Sequence, residues 1–328
     1  MPNQLVTMRE ALKQAIDEEM ERDPTVFIMG EEVAEYNGAY KVTKGMLEKW
    51  GPKRIIDTPI SELGFAGLCV GAAMTGLRPI VEFMSFNFSF VAADQIISNA
   101  AKMYYMSGGL FNIPMVMRGP NGAGPRVSSQ HSHNMDSVFA HFPGLHVMSP
   151  SCPADAKGML KAAIRCNDPV IFLENELSYS FKDDVPDGDY IIPIGKGDIK
   201  RAGADVTIVA WSRMMSLAKI AAEELAKDGI EVELLDPRTL KPLDMALIAE
   251  SVKKTNRVVV VEEGHYFCGV GAQIADSIYS NLFDYLDAPI VRVHQSENPM
   301  PYAANLEAAT LPSVDKIIKA VRQVSYQV

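Results

Sequence analysis

The segment DTPISELGFAGLCVGAAMTGLRPIVEFMSFNFSF, residues 57–90, decides the fold of the first part of the chain. Its central residues, 62–74, are apolar or small except for one carboxylate, so they predict a buried helix. The apolar run 79–83 follows directly and predicts a buried strand. A buried helix that leads into a buried strand is typical of an α/β fold.

Glu62 stands at the start of this helix, with Ser61 before it as a plausible N-cap. A carboxylate at the edge of an apolar, aromatic-lined site is a candidate acid or base. A glutamate in the first helical turn also stabilises the helix dipole without any catalytic role. The pattern alone leaves both interpretations open.

Three glycines, Gly64, Gly67 and Gly71, fall on one side of the same helix. Each glycine costs about 1 kcal/mol relative to alanine inside a helix. We therefore expect another backbone to approach this face closely.

Apolar strands alternate with helical patterns along the chain, which predicts parallel, doubly wound α/β sheets. Thr7-Met8-Arg9-Glu10 fits a capping box at the start of the first helix, and residues 91–105 predict a long helix. The charged segment SFKDDVPDGD, residues 180–189, interrupts the alternation and predicts an inter-domain linker. We predict domains at 1–180 and 199–328, joined by a linker at 181–198.

The segment RGPNGAGPRVSSQHSH, residues 118–133, predicts a long Gly/Pro/Ser-rich loop, and long loops in compact domains are often functional. His131 in this loop has small polar neighbours and suits proton transfer near neutral pH, although an ordinary surface histidine fits equally. His131 and His133 lack a third metal ligand placed by spacing. Glu31 and Glu32, which follow an apolar strand, are most simply solvated loop charges.

Composition narrows the classes of function. The net charge of −10 argues against a nucleic-acid partner and suits a basic protein partner. The four cysteines form no CxxC pair, and no apolar run is long enough to span a membrane. A cytoplasmic protein is expected, or a mitochondrial matrix protein if the chain is a processed eukaryotic one. No GxGxxG directly follows a strand and opens a helix, and no Walker A or GxSxG motif occurs, so the chain shows no phosphate cradle and no serine-hydrolase elbow.

Together these segments resemble one family over essentially the whole chain. It is the β subunit family of the thiamine-diphosphate-dependent pyruvate dehydrogenase component of 2-oxo acid dehydrogenase complexes, within the transketolase-like superfamily. The resemblance rests on residues 57–89 and on AAKMYYMSGGL, RGPNGAG with SSQHSH, DPRTLKPLD and ENPMPYA. It implies a thiamine-diphosphate pyrimidine-binding fold followed by a transketolase C-terminal-like fold.

The resemblance also implies roles for named residues. Glu62 corresponds to the glutamate that hydrogen-bonds N1′ of the cofactor's aminopyrimidine and favours the tautomer that removes the thiazolium proton. Phe88 corresponds to the residue that packs on the pyrimidine ring, with Ile60 and Leu63 also at the cofactor. His131 corresponds to an active-site histidine that serves substrate binding and acyl transfer to lipoyl groups.

The same family implies that this chain forms half of an active site. Its Mg²⁺-diphosphate motif, GDG followed by an asparagine, belongs to the α subunit, and GDG is absent here. The implied assembly is an α₂β₂ heterotetramer, active only with the α subunit, which decarboxylates pyruvate and reductively acetylates the acyltransferase component's lipoyl group. This step links glycolysis to acetyl-CoA biosynthesis. The partners implied are the α subunit and the acyltransferase's peripheral binding and lipoyl domains.

Some relatives bind a structural K⁺ through main-chain carbonyl groups. The positions that correspond to this site are Met115, Ala163, Ile164, Cys166 and Asp168. Cys166 departs from the acidic residue expected there, although carbonyl ligation makes side-chain identity less decisive.

Two alternatives accompany this interpretation. Within the same chemistry, the chain could be the β subunit of a branched-chain 2-oxo acid or acetoin dehydrogenase. In a different class, it could be a non-catalytic scaffold or interaction subunit, but intact Glu62, Phe88 and His131 argue against that.

Overall fold

The structure, a computed structural model, describes residues 4–327. The chain divides into two compact units: the residues up to Asn121 together with Val138–Ile194, and Gly122–Ser137 together with the residues from Gly195 onward. The domain limits predicted from the sequence, 1–180, 181–198 and 199–328, stay a prediction.

Parallel strands form the centre of the first unit in the order β6–β7–β5–β4–β2–β3, while β1 and β8 make a separate antiparallel pair. The strands are β1 (Gln4–Thr7), β2 (Val26–Gly30), β3 (Ile55–Asp57), β4 (Arg78–Glu82), β5 (Val116–Asn121), β6 (His146–Met148), β7 (Val170–Asn175) and β8 (Lys182–Val185). The helices up to residue 194 are α1 (Met8–Arg22), α2 (Met46–Trp50), α3 (Glu62–Met74), α4 (Met103–Met106), α5 (Asp136–Ala140) and α6 (Pro153–Arg165).

A second sheet lies in the second unit, with four parallel strands in the order β14–β13–β10–β11 and β9 antiparallel to β11. The strands are β9 (Asp198–Arg201), β10 (Val206–Ala210), β11 (Val232–Asp236), β12 (Thr239–Lys241), β13 (Val258–His265) and β14 (Val291–Gln295). The helices are α7 (Ser212–Lys227), α8 (Met245–Thr255), α9 (Val270–Leu282), α10 (Ala304–Thr310) and α11 (Val314–Val324). Two α/β units with mainly parallel sheets confirm the predicted fold class.

The first helix begins as its sequence predicts. The Thr7 hydroxyl accepts a hydrogen bond from the Glu10 backbone N–H, and the Glu10 carboxylate accepts one from the Thr7 backbone N–H. Farther along α1, Glu18 pairs with Lys161 at 2.6 Å and the fully buried Glu19 pairs with Arg165 at 2.7 Å. These ion pairs connect α1 to α6.

The long helix predicted for residues 91–105 is wrong as a continuous element. The segment instead contains a π-helical turn, Gln95–Ala100, followed by the short α4. The side chain of Gln95 packs against Gly67 of α3, where a Cβ atom would stand 3.2 Å from it. A π-turn commonly marks such a local departure from regular helix packing.

Helix α3 is not buried all round. Leu63 and Leu68 are 48% and 65% exposed. A Cβ atom added at Gly71 would meet nothing described within 4 Å, and at Gly64 only the side chain of Ser61. The expected close backbone on the glycine face is therefore missing among residues 4–327, and the helix presents an apolar face to solvent. Within the same range, no helix is long and apolar enough to cross a membrane.

Candidate functional site

The carboxyl ends of β2, β3 and β4 lie side by side. Gly30 at the end of β2 is in register with Asp57 of β3 and with Glu82 of β4. In open parallel α/β sheets, ligands bind beyond the carboxyl ends of the strands. The candidate site of the first unit is therefore sought at this edge.

Glu62 is the first residue of α3 and is only 6% exposed. Ser61 occupies the N-cap position, but its hydroxyl donates to the Pro59 carbonyl at 3.2 Å and makes no capping bond to α3. The carboxylate of Glu62 is thus the acidic group in the first turn of the helix, and it is buried there.

Glu31 is the site residue that sequence reasoning missed. It follows β2 directly, is 5% exposed, and its Oε1 atom has no hydrogen-bond partner among the described residues. Burial, together with the charge of Glu62 and a hydrogen bond between the two side chains, raises the pKa of Glu31 to about 7. Glu31 and Glu62 therefore form a pair of neighbouring buried carboxyl groups, in which Glu31 keeps its proton to an unusually high pH.

The interpretation of Glu31 as a solvated loop charge is wrong, whereas its neighbour Glu32 is exposed as expected. The available signal was position: Glu31 comes immediately after a buried parallel strand, where functional side chains concentrate.

The aromatic residues after β4 divide into a core set and an outer one. Phe83 contacts Phe65 and Phe86, with ring centroids 5.7 and 5.3 Å apart, so α3 and the turn Phe86–Phe90 are joined through the core. Phe88, on the same turn, is half-buried.

Two more predicted cofactor residues flank Glu62 in sequence. Ile60 is 84% exposed and Leu63 is 48% exposed. The structure therefore leaves apolar side chains bare on both sides of a buried carboxylate.

A buried charge network supports this edge of the sheet. Arg118 of β5 is 1% exposed and donates to Glu82 of β4 and to Glu174 of β7, while Tyr179 donates to Glu174 at 2.6 Å. Burial raises the pKa of Glu82, opposed by the positive charge of Arg118. Burial disfavours the charged form of Arg118, but the charges of Glu174 and Glu82 outweigh it and raise the pKa of Arg118. The network ties the carboxyl ends of three strands together.

The loop predicted at 118–133 begins later than expected, because β5 continues to Asn121. Residues 122–137 belong to the second unit and are held there. The Ala123 backbone N–H donates to Glu263 at 2.5 Å, and the Arg126 N–H donates to Glu307 at 2.9 Å. The loop is thus anchored by residues far away in sequence.

His131 lies in this anchored loop, in a short helical turn, Ser129–His131, and is half-buried. Its neighbours include two further histidines, His133 and His265. Partial burial lowers the pKa of His133, and the nearby charges of His131 and His265 lower it further. The second unit therefore gathers three imidazoles around the loop.

The five predicted K⁺ positions surround the C-terminal end of α6. The Met115 carbonyl accepts the Val170 backbone N–H at 3.0 Å. The carbonyls of Ile164 and Cys166 accept hydrogen bonds from the guanidinium of Arg78 at 3.0 and 2.8 Å. A protein cation therefore already occupies two of the carbonyls predicted to bind K⁺.

Comparison with known proteins supports the fold of both units. The family described as "Transketolase, pyrimidine binding domain" matches residues 4–182, and "Transketolase, C-terminal domain" matches residues 195–317. A solved structure titled "Split gene transketolase, inactive beta4 tetramer" has a TM-score of 0.81 at 23% identity and covers 98% of both chains. At that identity the likeness concerns the fold.

Curated relatives are much closer in sequence. "Pyruvate dehydrogenase E1 component subunit beta" of Rickettsia felis is 56% identical over 321 residues, which is 98% of each chain. The mitochondrial "subunit beta-1" of Oryza sativa subsp. japonica is 53% identical, over 98% of this chain and 87% of its own length. The Rhizobium meliloti subunit beta is 54% identical, over 98% of this chain and 70% of its own length.

Proposed function

Since this chain belongs to the family of pyruvate dehydrogenase E1 component β subunits, we propose that it supplies the pyrimidine side of a thiamine-diphosphate site that decarboxylates pyruvate. The two-carbon unit that remains would then reductively acetylate the lipoyl group of the acyltransferase component, whose disulfide accepts the two electrons as the acetyl thioester forms. The observation that carries this proposal is the buried carboxyl pair of Glu31 and Glu62 at the carboxyl ends of the parallel strands.

The residues fit an aminopyrimidine. Glu62 offers a buried carboxyl group for N1′, and Oε1 of Glu31, for which residues 4–327 provide no hydrogen-bond partner, offers an acceptor beside it. Phe88 is half-buried, and Ile60 and Leu63 expose apolar surface on which a flat ring can pack. When bound, thiamine diphosphate supplies a thiazolium that accepts the electrons released as a 2-oxo acid loses CO₂.

Proton transfer by this chain follows from the carboxyl pair. Glu62 would hydrogen-bond pyrimidine N1′, and Glu31, whose pKa is raised to about 7 by burial and by the charge of Glu62, would exchange a proton with this site near neutral pH. A catalytic pKa near the working pH gives the best compromise between protonation state and driving force. The exposed apolar surroundings would exclude water once covered, which strengthens these charge interactions.

His131 is proposed as the acid that serves substrate binding and acyl transfer. Its support is the half-buried position of His131 in an anchored loop and the neighbouring imidazoles of His133 and His265. Because Glu263 and Glu307 hold the loop backbone, the imidazole is presented from a fixed position.

The α subunit is proposed to cover the bare face of α3. Leu63 and Leu68 are exposed on that helix, and Tyr105 and Leu110 are 88% and 81% exposed in the following segment. Exposed apolar surface of this kind marks a protein interface. The α subunit would also bring the Mg²⁺-diphosphate half of the site and complete an α₂β₂ assembly.

The remaining partners and ions are proposals of the same kind. The second unit would dock the acyltransferase's peripheral binding domain, to which the net charge of −10 gives an acidic complement. K⁺ at the end of α6 would share its carbonyls with Arg78. The compartment stays a prediction: the cytoplasm, or the mitochondrial matrix for a processed eukaryotic chain.

The test is co-expression with the cognate α subunit, followed by turnover with thiamine diphosphate and Mg²⁺. Pyruvate should be decarboxylated faster than 3-methyl-2-oxobutanoate or acetoin is turned over. The β chain alone should show no decarboxylation. Preference for either alternative substrate would reassign the chain within the family, and activity without any α subunit would contradict the half-site proposal.

A separate variant tests the histidine. His131→Ala should lower acetylation of a lipoyl domain more than it lowers pyruvate decarboxylation measured with an artificial electron acceptor, because acyl transfer needs the acid. His141→Ala, in the first unit, is the control. Equal loss in both assays would contradict an acyl-transfer role.

A further inference from the structure

Three side chains of different chemistry meet at one end of β6. They are His146, the first residue of β6, Cys166, the C-cap of α6, and Asp168, which follows in the turn before β7. One ligand atom from each lies within 4.8 Å of the others. The imidazole Nε2 is 3.6 Å from the Asp168 carboxylate, and the Cys166 sulfur accepts the Asp168 backbone N–H at 3.4 Å.

The backbone holds these residues in place. The His146 N–H donates to the Pro169 carbonyl at 3.1 Å, in the same turn that carries Cys166 and Asp168. The Cys166 N–H closes the last turn of α6 on Ala162 at 3.0 Å. Two of the three ligands are therefore presented from a strand end and a helix end, and Asp168 from the short turn that joins α6 to β7, so little ordering is needed on binding.

The donor set selects a class of metal. Imidazole nitrogen, thiolate sulfur and carboxylate oxygen are the ligands of Zn²⁺, with Zn–N about 2.0–2.1 Å and Zn–S about 2.3 Å. Tetrahedral geometry at those bond lengths separates neighbouring ligand atoms by roughly 3.3–3.7 Å, and the observed 3.6 Å between His146 and Asp168 falls in that range. Small movements of the sulfur would complete the geometry.

We propose that His146, Cys166 and Asp168 form a side-chain site for Zn²⁺ or a similar divalent transition metal, with solvent as the fourth ligand. Cys166 and His146 are half-buried and Asp168 is exposed, so the metal enters from solvent. Three protein ligands with an open position describe an exchangeable site rather than a closed structural one.

This site differs from the predicted K⁺ site, although they share a turn. K⁺ would use main-chain carbonyls, two of which already accept hydrogen bonds from Arg78. The transition-metal site uses the side chains of Cys166 and Asp168 and adds His146, which contributes nothing to the carbonyl set. A soft thiolate ligand favours Zn²⁺ or Co²⁺ over K⁺.

The test is titration of the metal-stripped protein, purified with its α subunit, with Co²⁺ as the spectroscopic probe and Zn²⁺ as competitor. One Co²⁺ per chain should bind with a thiolate-to-cobalt charge-transfer band, and Zn²⁺ should displace it. Excess K⁺ should leave the band unchanged. A band displaced by K⁺, or the lack of any saturable band, would overturn the proposal.

Variants separate this site from adventitious binding. Cys166→Ser should abolish the band, and His146→Gln and Asp168→Asn should each weaken binding while the circular dichroism spectrum stays native. Cys268→Ser removes an exposed cysteine of the second unit and is the matched control, which should keep the band. Loss of the band in Cys268→Ser, or its retention in Cys166→Ser, would refute the assignment.

Discussion

Two buried carboxylates, Glu31 directly after a parallel strand of the first unit and Glu262 in a parallel strand of the second, are satisfied differently. In the second unit, Glu262 of β13 accepts the Gly271 backbone N–H at 3.0 Å and pairs with Arg292 at 2.7 Å. Its neighbour Glu263 accepts the Ala123 N–H. In the first unit, Glu31 keeps a buried oxygen for which residues 4–327 provide no partner.

The difference marks Glu31 as a buried carboxylate that a ligand could complete, as the proposed catalytic role requires. Burial is the same for Glu31 and Glu262, at 5% and 2% exposure, so it does not distinguish them. What differs is whether the protein itself uses the hydrogen-bonding capacity of the group. A buried polar atom left unsatisfied costs free energy, and it is retained where a ligand completes it.

The largest expected effect is on catalysis in the first unit. Glu62→Gln should lower pyruvate turnover by the α/β assembly by about 10²–10⁴-fold, because an amide cannot exchange a proton with pyrimidine N1′. Initial rates measure this, and size-exclusion chromatography should still show the assembly. The exposed Glu32→Gln is the control and should keep full activity. Undiminished turnover in Glu62→Gln would refute the proton-transfer role.

Removing Arg118, the cation of the buried charge network in the first unit, should mainly lower stability. Arg118→Met leaves Glu82 and Glu174 buried without their partner, which should destabilise the first unit by about 3–5 kcal/mol. Hydrogen exchange followed by mass spectrometry should show the loss in peptides from β5 but much less in peptides from β13. Arg322→Met, which breaks an exposed pair with Asp228, is the control. An equal loss of protection from hydrogen exchange in both units would contradict a local effect of the network.

In the second unit, removing the charge of a buried carboxylate should lower stability but not the catalytic rate. Glu262→Gln should destabilise that unit by roughly 1–3 kcal/mol, since Arg292 loses a charged acceptor. The rate per folded assembly should stay unchanged. Urea unfolding and active-site-normalised rates test this, with the exposed Glu250→Gln as control. A fall in the normalised rate as large as that of Glu62→Gln would remove the distinction between structural and catalytic carboxylates.

The smallest effect concerns pH. Because the pKa of Glu31 is raised to about 7 in the folded protein, its favourable contribution is present below the pKa of an unfolded glutamate and is lost as pH rises to about 7. Relative to Glu31→Gln, the wild-type free energy of unfolding should fall by roughly 1–2 kcal/mol across this interval, since solvent screens part of the interaction. Urea unfolding at several pH values across this interval measures the difference. The same pH dependence in the wild type and in Glu31→Gln would contradict the interaction between Glu31 and Glu62.

Sequence patterns predict elements that local composition determines. The helix Glu62–Met74 and the strand Arg78–Glu82 lie where the apolar segments 62–74 and 79–83 predict them, because the composition of each segment favours its element locally. The break at Gln95–Ala100 was not predictable in this way, since it coincides with a contact to Gly67 on another helix.

The candidate site also combines features that local sequence predicts with features that depend on contacts between distant elements. Glu62 could be predicted as a site residue because it is the single charge in an apolar helix and because the family resemblance implies a role for it. The raised pKa of Glu31 could not be predicted, because it depends on burial and on the charge of Glu62, which lies on another element. The anchoring of residues 122–137 depends on Glu263 and Glu307, with which the loop sequence shares no pattern.

The assignment of Gly122–Ser137 to the second unit has a consequence for dividing the chain. A cut between residues 194 and 195 would yield two fragments. The first fragment would still carry residues 122–137, which belong to the second unit. Fragments 1–194 and 195–328 should therefore recombine by docking that piece, as in fragment complementation. The order of residues along the chain therefore differs from the division into compact units. The two differ at residues 122–137, the loop that carries His131.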